Sequence, residues 1–184
     1  MSRCLIGLTG KKFHGKDTVA GIISMNNAVV LLSFASPIKK AISIIHEIPE
    51  EILSDSKMKE TVLPQWGKSP RELLQWLGTD VYRNQFSKDV WLKNMEMRIR
   101  KYEDFPIIVT DVRFDNEAKL IHSMGGSVWR VDASERIEDN DIHESENGIS
   151  ENLVDLTIYN NGNVEELKKV VDHEYYIKRE YSVY

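Results

Sequence analysis

Gly10, Gly15 and Lys16, spaced as Gly-x-x-x-x-Gly-Lys, carry the clearest chemical signal in this chain. Polyphosphate is held by several backbone N–H groups aimed at one point, and a helix N-terminus adds a partial positive charge there. Glycine lets the backbone turn sharply and approach an anion with no Cβ in the way. In such a loop Lys16 reaches the β- and γ-phosphates and Lys11 adds a second positive charge. The residue after the lysine is normally Ser or Thr, whose hydroxyl holds Mg²⁺; here it is Asp17, followed by Thr18. A carboxylate suits a hard cation, directly or through water. Three fixed positions recur by chance in about one chain in twenty of this length, so context must decide. The plain alternative is a glycine turn that leaves Lys11, Lys12 and Lys16 as solvated charges.

Further groups could complete such a site. Ile107-Ile-Val-Thr-Asp111 is an apolar run ending in a carboxylate. At the carboxyl end of a strand an aspartate faces the Mg²⁺ of a phosphate-loop enzyme, though it can equally cap the next helix. Arg113 is within reach of a phosphate, or forms a surface ion pair. Arg71, Gln75, Thr79 and Arg83 step by four and so share one helix face. Two guanidiniums, an amide and a hydroxyl suit an anion that carries a base; the alternative is a solvated face. Trp66, Trp76 and Trp91 are candidates for base stacking or for core. His14, inside the loop, is expected to point to solvent or nucleotide, and His143 to be structural. No Cys/His zinc spacing is present.

The elements around these residues alternate. Cys4–Leu8 reads as a buried strand and Lys16 to about Met25 as a helix ended by Asn26-Asn27. A second strand spans Val29 to Phe34. Ser36-Pro37 then starts a helix, with Ser36 as cap, carrying Ile38, Ala41, Ile42 and Ile45. No strand is expected from Ser36 to Asp104, and residues 50–68, with Pro64 and Gly67, read as a mobile segment. Ser69-Pro70-Arg71-Glu72 repeats the cap-then-proline signal, ahead of Leu73, Leu74, Trp76 and Leu77, with Gly78-Thr79-Asp80 ending or kinking the helix. Another helix runs from about Lys88 to Lys101. Strands at Pro106–Val112, Ser127–Val131 and Leu156–Tyr159 alternate with helices over Phe114–Met124 and from Gly162-Asn163 to about Tyr175. Residues 133–148 form a polar loop or lid. The pattern predicts an α/β fold: a five-stranded parallel sheet flanked by helices, with a helical insert over 36–104 in a single domain spanning 1–184.

At 184 residues and a net charge of −5, an acidic whole argues against a surface that coats nucleic acid, while leaving room for a basic pocket. A single cysteine, Cys4, allows no internal disulfide and fits a reducing compartment. No secretory leader precedes the first strand and no apolar run reaches transmembrane length, so a cytoplasmic protein with neither membrane nor nucleic-acid partner is expected.

Together the motifs resemble the deoxynucleoside monophosphate kinases of bacteriophage type. Gly15-Lys16-Asp17-Thr18 is similar to that family's loop, and Ser33-Phe-Ala-Ser-Pro-Ile-Lys39 to its second strand and following helix. Ser69 to Arg83, then Asp89-Val-Trp91, resemble its monophosphate-binding helices; Thr110 to Glu117 its third-strand motif; His143-Glu-Ser-Glu146, Asp155 and Asn161-Gly162 its C-terminal part. Residues 46–68 match nothing in it. The resemblance implies a nucleoside-monophosphate-kinase-like fold, with ATP and Mg²⁺ at the loop and a deoxynucleoside monophosphate at the insert. It implies that Lys39, Arg71, Arg83 and Arg113 hold the acceptor phosphate, with Glu117 in the same substrate set. Gln75, Thr79 and Trp91 would face the sugar or base, and Asp17 and Asp111 the metal. Lys16, Arg113 and Arg136, the last in the lid, would serve catalysis. A homodimer is compatible with it, as is the host cytoplasm if the chain is phage-encoded.

Animal-type phosphomevalonate kinases share the loop and a similar ending, which gives a rival reading. Their acceptor has no base, so the amide and aromatic groups of the insert would lack a purpose. A nucleotide-dependent switch is the other rival, but a guanine-specific one would normally carry Asn-Lys-x-Asp, and none is present.

Overall fold

Five apolar runs become five strands, and every pairing between them is parallel. The computed structural model describes residues 4–55, 57–136 and 148–181. The strands are β1 (Leu5–Thr9), β2 (Val30–Leu32), β3 (Ile107–Val109), β4 (Ser127–Asp132) and β5 (Leu156–Tyr159), in the order β2-β3-β1-β4-β5. β1 lies centrally, with Gly7 opposite Val109 on one side and Val128 on the other. A parallel strand covered on both faces has no polar side, which is why all five residues of β1 are buried and no charged residue stands in it. Parallel pairing also brings the carboxyl ends of all five strands to one edge, where ligands bind sheets of this kind.

The described residues of Met1–Ser33 and Glu96–Tyr184 form one compact unit, and Phe34–Met95 a second. The first holds the sheet with α1 (Lys16–Asn26), α6 (Asp115–Ser123) and α7 (Val164–Tyr181). Its core joins Ile6, Leu8, Ile22, Ile23, Trp129, Val131, Ile158 and Val171. The second is helical: α2 (Ser36–His46), α3 (Glu50–Ser54), a 3₁₀ turn at Met58–Glu60, α4 (Pro70–Gln75) and a π-helix over Trp76–Phe86. Its own core is Ile42, Ile48, Leu53, Leu73 and Leu77. The unit boundary falls inside α5 (Val90–Lys101), so the compact helical unit is shorter than the expected insert over 36–104. Among the described residues, no helix is long and apolar enough to cross a membrane.

Several expectations are corrected. Where a mobile segment is expected, the described residues of 50–68 form α3, the 3₁₀ turn and a bridge between Leu63 and Lys68, anchored by Leu53 at 1% exposure. One scattered apolar residue shows no periodicity, yet it anchors the segment. Ser36 is not a cap, because Ala35 before it already has helical angles and Ser36 is the first helical residue. Gly78 does not end its helix. A Cβ there would stand 2.9 Å from Ile38 Cδ1, so the glycine serves close packing of the π-helix on α2. Strands β2 and β3 are three residues each, which leaves Asp111 and Arg113 in the loop beyond β3. The last helix runs on past Tyr175 to Tyr181, with Lys178 and Arg179 favourable at its C-terminal end.

Candidate active site

The loop between β1 and α1 has the backbone that its glycines allow. Gly10 and Gly15 sit at φ 136° and 103°, in the left-handed region closed to most side chains. Space enforces the same choice: a Cβ on Gly10 would lie 2.3 Å from the Val131 carbonyl oxygen, and one on Gly15 2.4 Å from Asn160 Nδ2. Phe13 takes φ 66° without being glycine and leaves its ring 66% exposed, with Lys12 Nζ 4.9 Å from the ring centre. Lys16 Nζ donates to the carbonyls of Gly10 at 2.5 Å and Lys11 at 2.8 Å, which holds the ammonium over the loop. Gly15 is the N-cap of α1 and has no side chain to offer its first-turn amides. A helix N-terminus with no capping side chain suits an anion, because its first N–H groups and the helix dipole favour negative charge.

His14 corrects an expectation. It does not face solvent or nucleotide; it is 4% exposed. Its Nδ1 accepts from the backbone N–H of Ala133 at 3.1 Å, and its carbonyl accepts from Asn160 Nδ2 at 2.9 Å. The ends of β4 and β5 thus clasp the phosphate loop from beneath. Burial pushes the His14 proton affinity down, aided by Lys11 and Lys16, while Asp132 3.6 Å away opposes the shift. Asp132 would be raised by its own burial, but the Ser134 backbone N–H and His14 hold it below the usual carboxylate range.

Asp17, in the first turn of α1, and Thr18 are exposed; Asp111, beyond β3, is half-buried. Among the described residues no three His, Cys, Asp or Glu side chains converge as a metal cage. That donor set fits Mg²⁺, which takes one or two carboxylates and completes its shell with water and substrate phosphate. Arg98, on α5, carries no signal in the sequence. It donates from Nη1 to the Ser33 carbonyl at 2.7 Å; burial lowers its proton affinity and the charge of Asp111 opposes that. Arg113 is exposed. Glu117 is not available as expected: it is 4% exposed and its carboxylate accepts from the backbone N–H of Arg113 at 2.8 Å and Phe114 at 3.2 Å. It fixes the turn that presents Arg113. Arg136 is exposed and its N–H closes a turn on Ala133 at 3.0 Å; the rest of the expected lid, with His143 to Glu146, lies outside the described residues.

In the helical unit the cap at Ser69 is as expected. Ser69 Oγ accepts from the Glu72 N–H and Glu72 accepts from the Ser69 N–H, a reciprocal box that starts α4. Arg71, Gln75 and Thr79 are exposed and Arg83 is half-buried. Arg71 and Gln75 lie on α4, and Thr79 and Arg83 on the π-helix that continues from it. Trp91 does not stand open to a base. It is 9% exposed and its indole N–H donates to the Gly78 carbonyl at 2.8 Å, satisfying a π-helix carbonyl from inside the unit. Lys39 is half-buried on α2.

A family model described as deoxynucleotide monophosphate kinase matches residues 51–171. The chain belongs to this family. The match to the deoxynucleotide monophosphate kinases starts at residue 51, so it takes in most of the 46–68 stretch that the sequence reading left unplaced. A protein of Acanthamoeba polyphaga mimivirus that carries the same family name is 32% identical over 176 residues, covering 88% of this chain and 91% of its own. The deoxynucleotide monophosphate kinase of Enterobacteria phage T4 is 31% identical over 179 residues, covering 87% of this chain and 73% of its own. Among solved structures, the dephospho-CoA kinase of Campylobacter jejuni aligns with a TM-score of 0.50 at 13% identity, over 96% of this chain and 97% of that one. At that identity the likeness speaks for the fold, which is that of the phosphate-loop kinases.

Proposed function

We propose that this deoxynucleotide monophosphate kinase transfers the γ-phosphoryl group of ATP to a deoxynucleoside monophosphate, giving ADP and the deoxynucleoside diphosphate. The observation that carries the reading is the loop itself. Two glycines at positive φ bracket it, Lys16 lies over its carbonyls, and the α1 amides lack a capping side chain. Lys11, Lys16 and the amides of Lys16, Asp17 and Thr18 take the ATP phosphates. Lys16 moves from the Gly10 and Lys11 carbonyls to the transferring group, where it meets charge that grows during transfer. Asp17 and Asp111 are the carboxylates for Mg²⁺, which when bound neutralises charge on the phosphates.

Lys39, Arg71, Arg83 and Arg113 hold the acceptor phosphate by charge-assisted bonds. Gln75 and Thr79 face its sugar and base, where a carboxamide reads a base edge. Arg136 approaches the ATP phosphates. Such catalysis is positioning and charge neutralisation without a covalent intermediate. Both substrates are small nucleotides, and on this reading the enzyme works in the cytoplasm, that of the host cell if it is phage-encoded. The test is coupled ADP release with a panel of deoxy- and ribonucleoside monophosphates and phosphomevalonate. Release driven by one or more deoxynucleotides, and largely abolished in Lys16→Ala, is expected. Phosphomevalonate outrunning every nucleotide would reject the reading.

A further inference from the structure

Arg71 and Lys39, on the reading that they take the acceptor phosphate, are themselves held by other side chains. One short stretch already touches both. Ser54, the last residue of α3, accepts from Lys39 Nζ at 3.0 Å. Glu60, the last residue of the 3₁₀ turn, accepts from Arg71 Nε at 2.6 Å. The Arg71–Glu60 pair is exposed, 48% and 49%, and pairs in that setting contribute little to stability. Its geometry serves another purpose. The bond engages Nε, and a guanidinium is a rigid fork of five donors, so fixing Nε also limits how its Nη groups can be presented to a phosphate.

The described residues beside Ser54 and Glu60 are themselves anchored. Leu53, at 1% exposure, roots α3 in the core with Ile42 and Leu73. The Asp55 carboxylate accepts from the backbone N–H of Lys57 at 2.8 Å and Met58 at 2.7 Å, and these bonds hold it below the usual carboxylate range. A rooted and capped turn sets the spacing of Ser54 and Glu60. We propose that Glu60 and Ser54 are positioning residues that hold Arg71 and Lys39 aimed for the acceptor phosphate before it arrives. Long cationic side chains lose rotamer freedom on binding, and fixing them beforehand removes that cost from the binding step.

A carboxylate beside a phosphate site also repels the incoming dianion, and this effect has the opposite sign. The rooted turn and the second, uncharged contact at Ser54 favour positioning over competition. Glu60→Ala should raise the KM for the deoxynucleoside monophosphate about two- to tenfold, with kcat and the KM for ATP unchanged. Glu60→Gln keeps a carbonyl acceptor for Arg71 Nε and should recover most of the loss. Adding Glu60→Ala to Arg71→Ala should change nothing further, because the residue it positions is gone. Arg71→Ala alone separates the two claims. If it leaves the acceptor KM unchanged, the acceptor reading falls and this inference with it. If it raises the acceptor KM while Glu60→Ala leaves it unchanged or lowers it, only the positioning role is overturned.

Discussion

Removing the Asn160 carboxamide should loosen the phosphate loop from below. The Nδ2–H of Asn160 reaches the His14 carbonyl at 2.9 Å, and Asn160 is 6% exposed. In Asn160→Ala that buried carbonyl loses its donor, at a cost of about 1–3 kcal/mol. For a chain of this size each kcal/mol lowers Tm by roughly 2–4 °C, so a fall of about 2–12 °C is expected. The activity effect should be larger and selective. A loop displaced by an ångström can lose about a hundredfold in rate, and the displaced amides are those for ATP. Thermal melts and initial rates with each substrate varied in turn give both quantities. The variant should melt lower and lose kcat/KM for ATP by about ten- to a hundredfold, with the acceptor KM within about twofold of wild type. An unchanged melting point together with an unchanged kcat/KM for ATP would refute the clasp. Gly15→Ala offers a cross-check: its Cβ would strike Asn160 Nδ2 at 2.4 Å, so Asn160→Ala should recover part of its loss, and the φ of 103° should keep the rest.

His14 should give a pH signature. Its folded proton affinity is depressed, so its stability contribution is complete above the ordinary value of 6.5 and declines as pH falls from there toward the lower folded value. His14→Asn keeps an acceptor for the Ala133 N–H and does not titrate, so the difference in Tm between the two proteins should change across that acidic window and be constant above it. Leu53→Ala should cost about 2–5 kcal/mol in a chemical melt, because Leu53 is fully packed with Ile42 and Leu73. A negligible cost would mean that residues 50–68 are as loosely held as their sequence suggests.

What was legible depended on how local the cause is. The phosphate loop could be read because the φ angles of Gly10 and Gly15 follow from residue type. The start of α4 could be read because Ser69 and Glu72, three apart, satisfy each other. The inner strands β1, β3 and β4 could be read because burial on both faces leaves apolar runs. The burial of His14 could not, since its partners Ala133 and Asn160 lie 119 and 146 residues away. Gly78 reads as a helix breaker until Ile38, from another helix, is seen filling the space a Cβ would need. Arg98 gave no signal within a helix rich in charges. Glu117 did give one: a glutamate at the third helical position commonly accepts from the backbone before the helix, and its placement among the substrate residues overlooked that.

The most direct measurement follows the γ-phosphoryl group itself. Wild-type protein is mixed with γ-labelled ATP and a deoxynucleoside monophosphate in a single turnover, and the products are separated. Label should move to the deoxynucleoside diphosphate as ADP forms, and Lys16→Ala should leave it in ATP. Label released as inorganic phosphate at the same rate with and without acceptor would contradict the assignment.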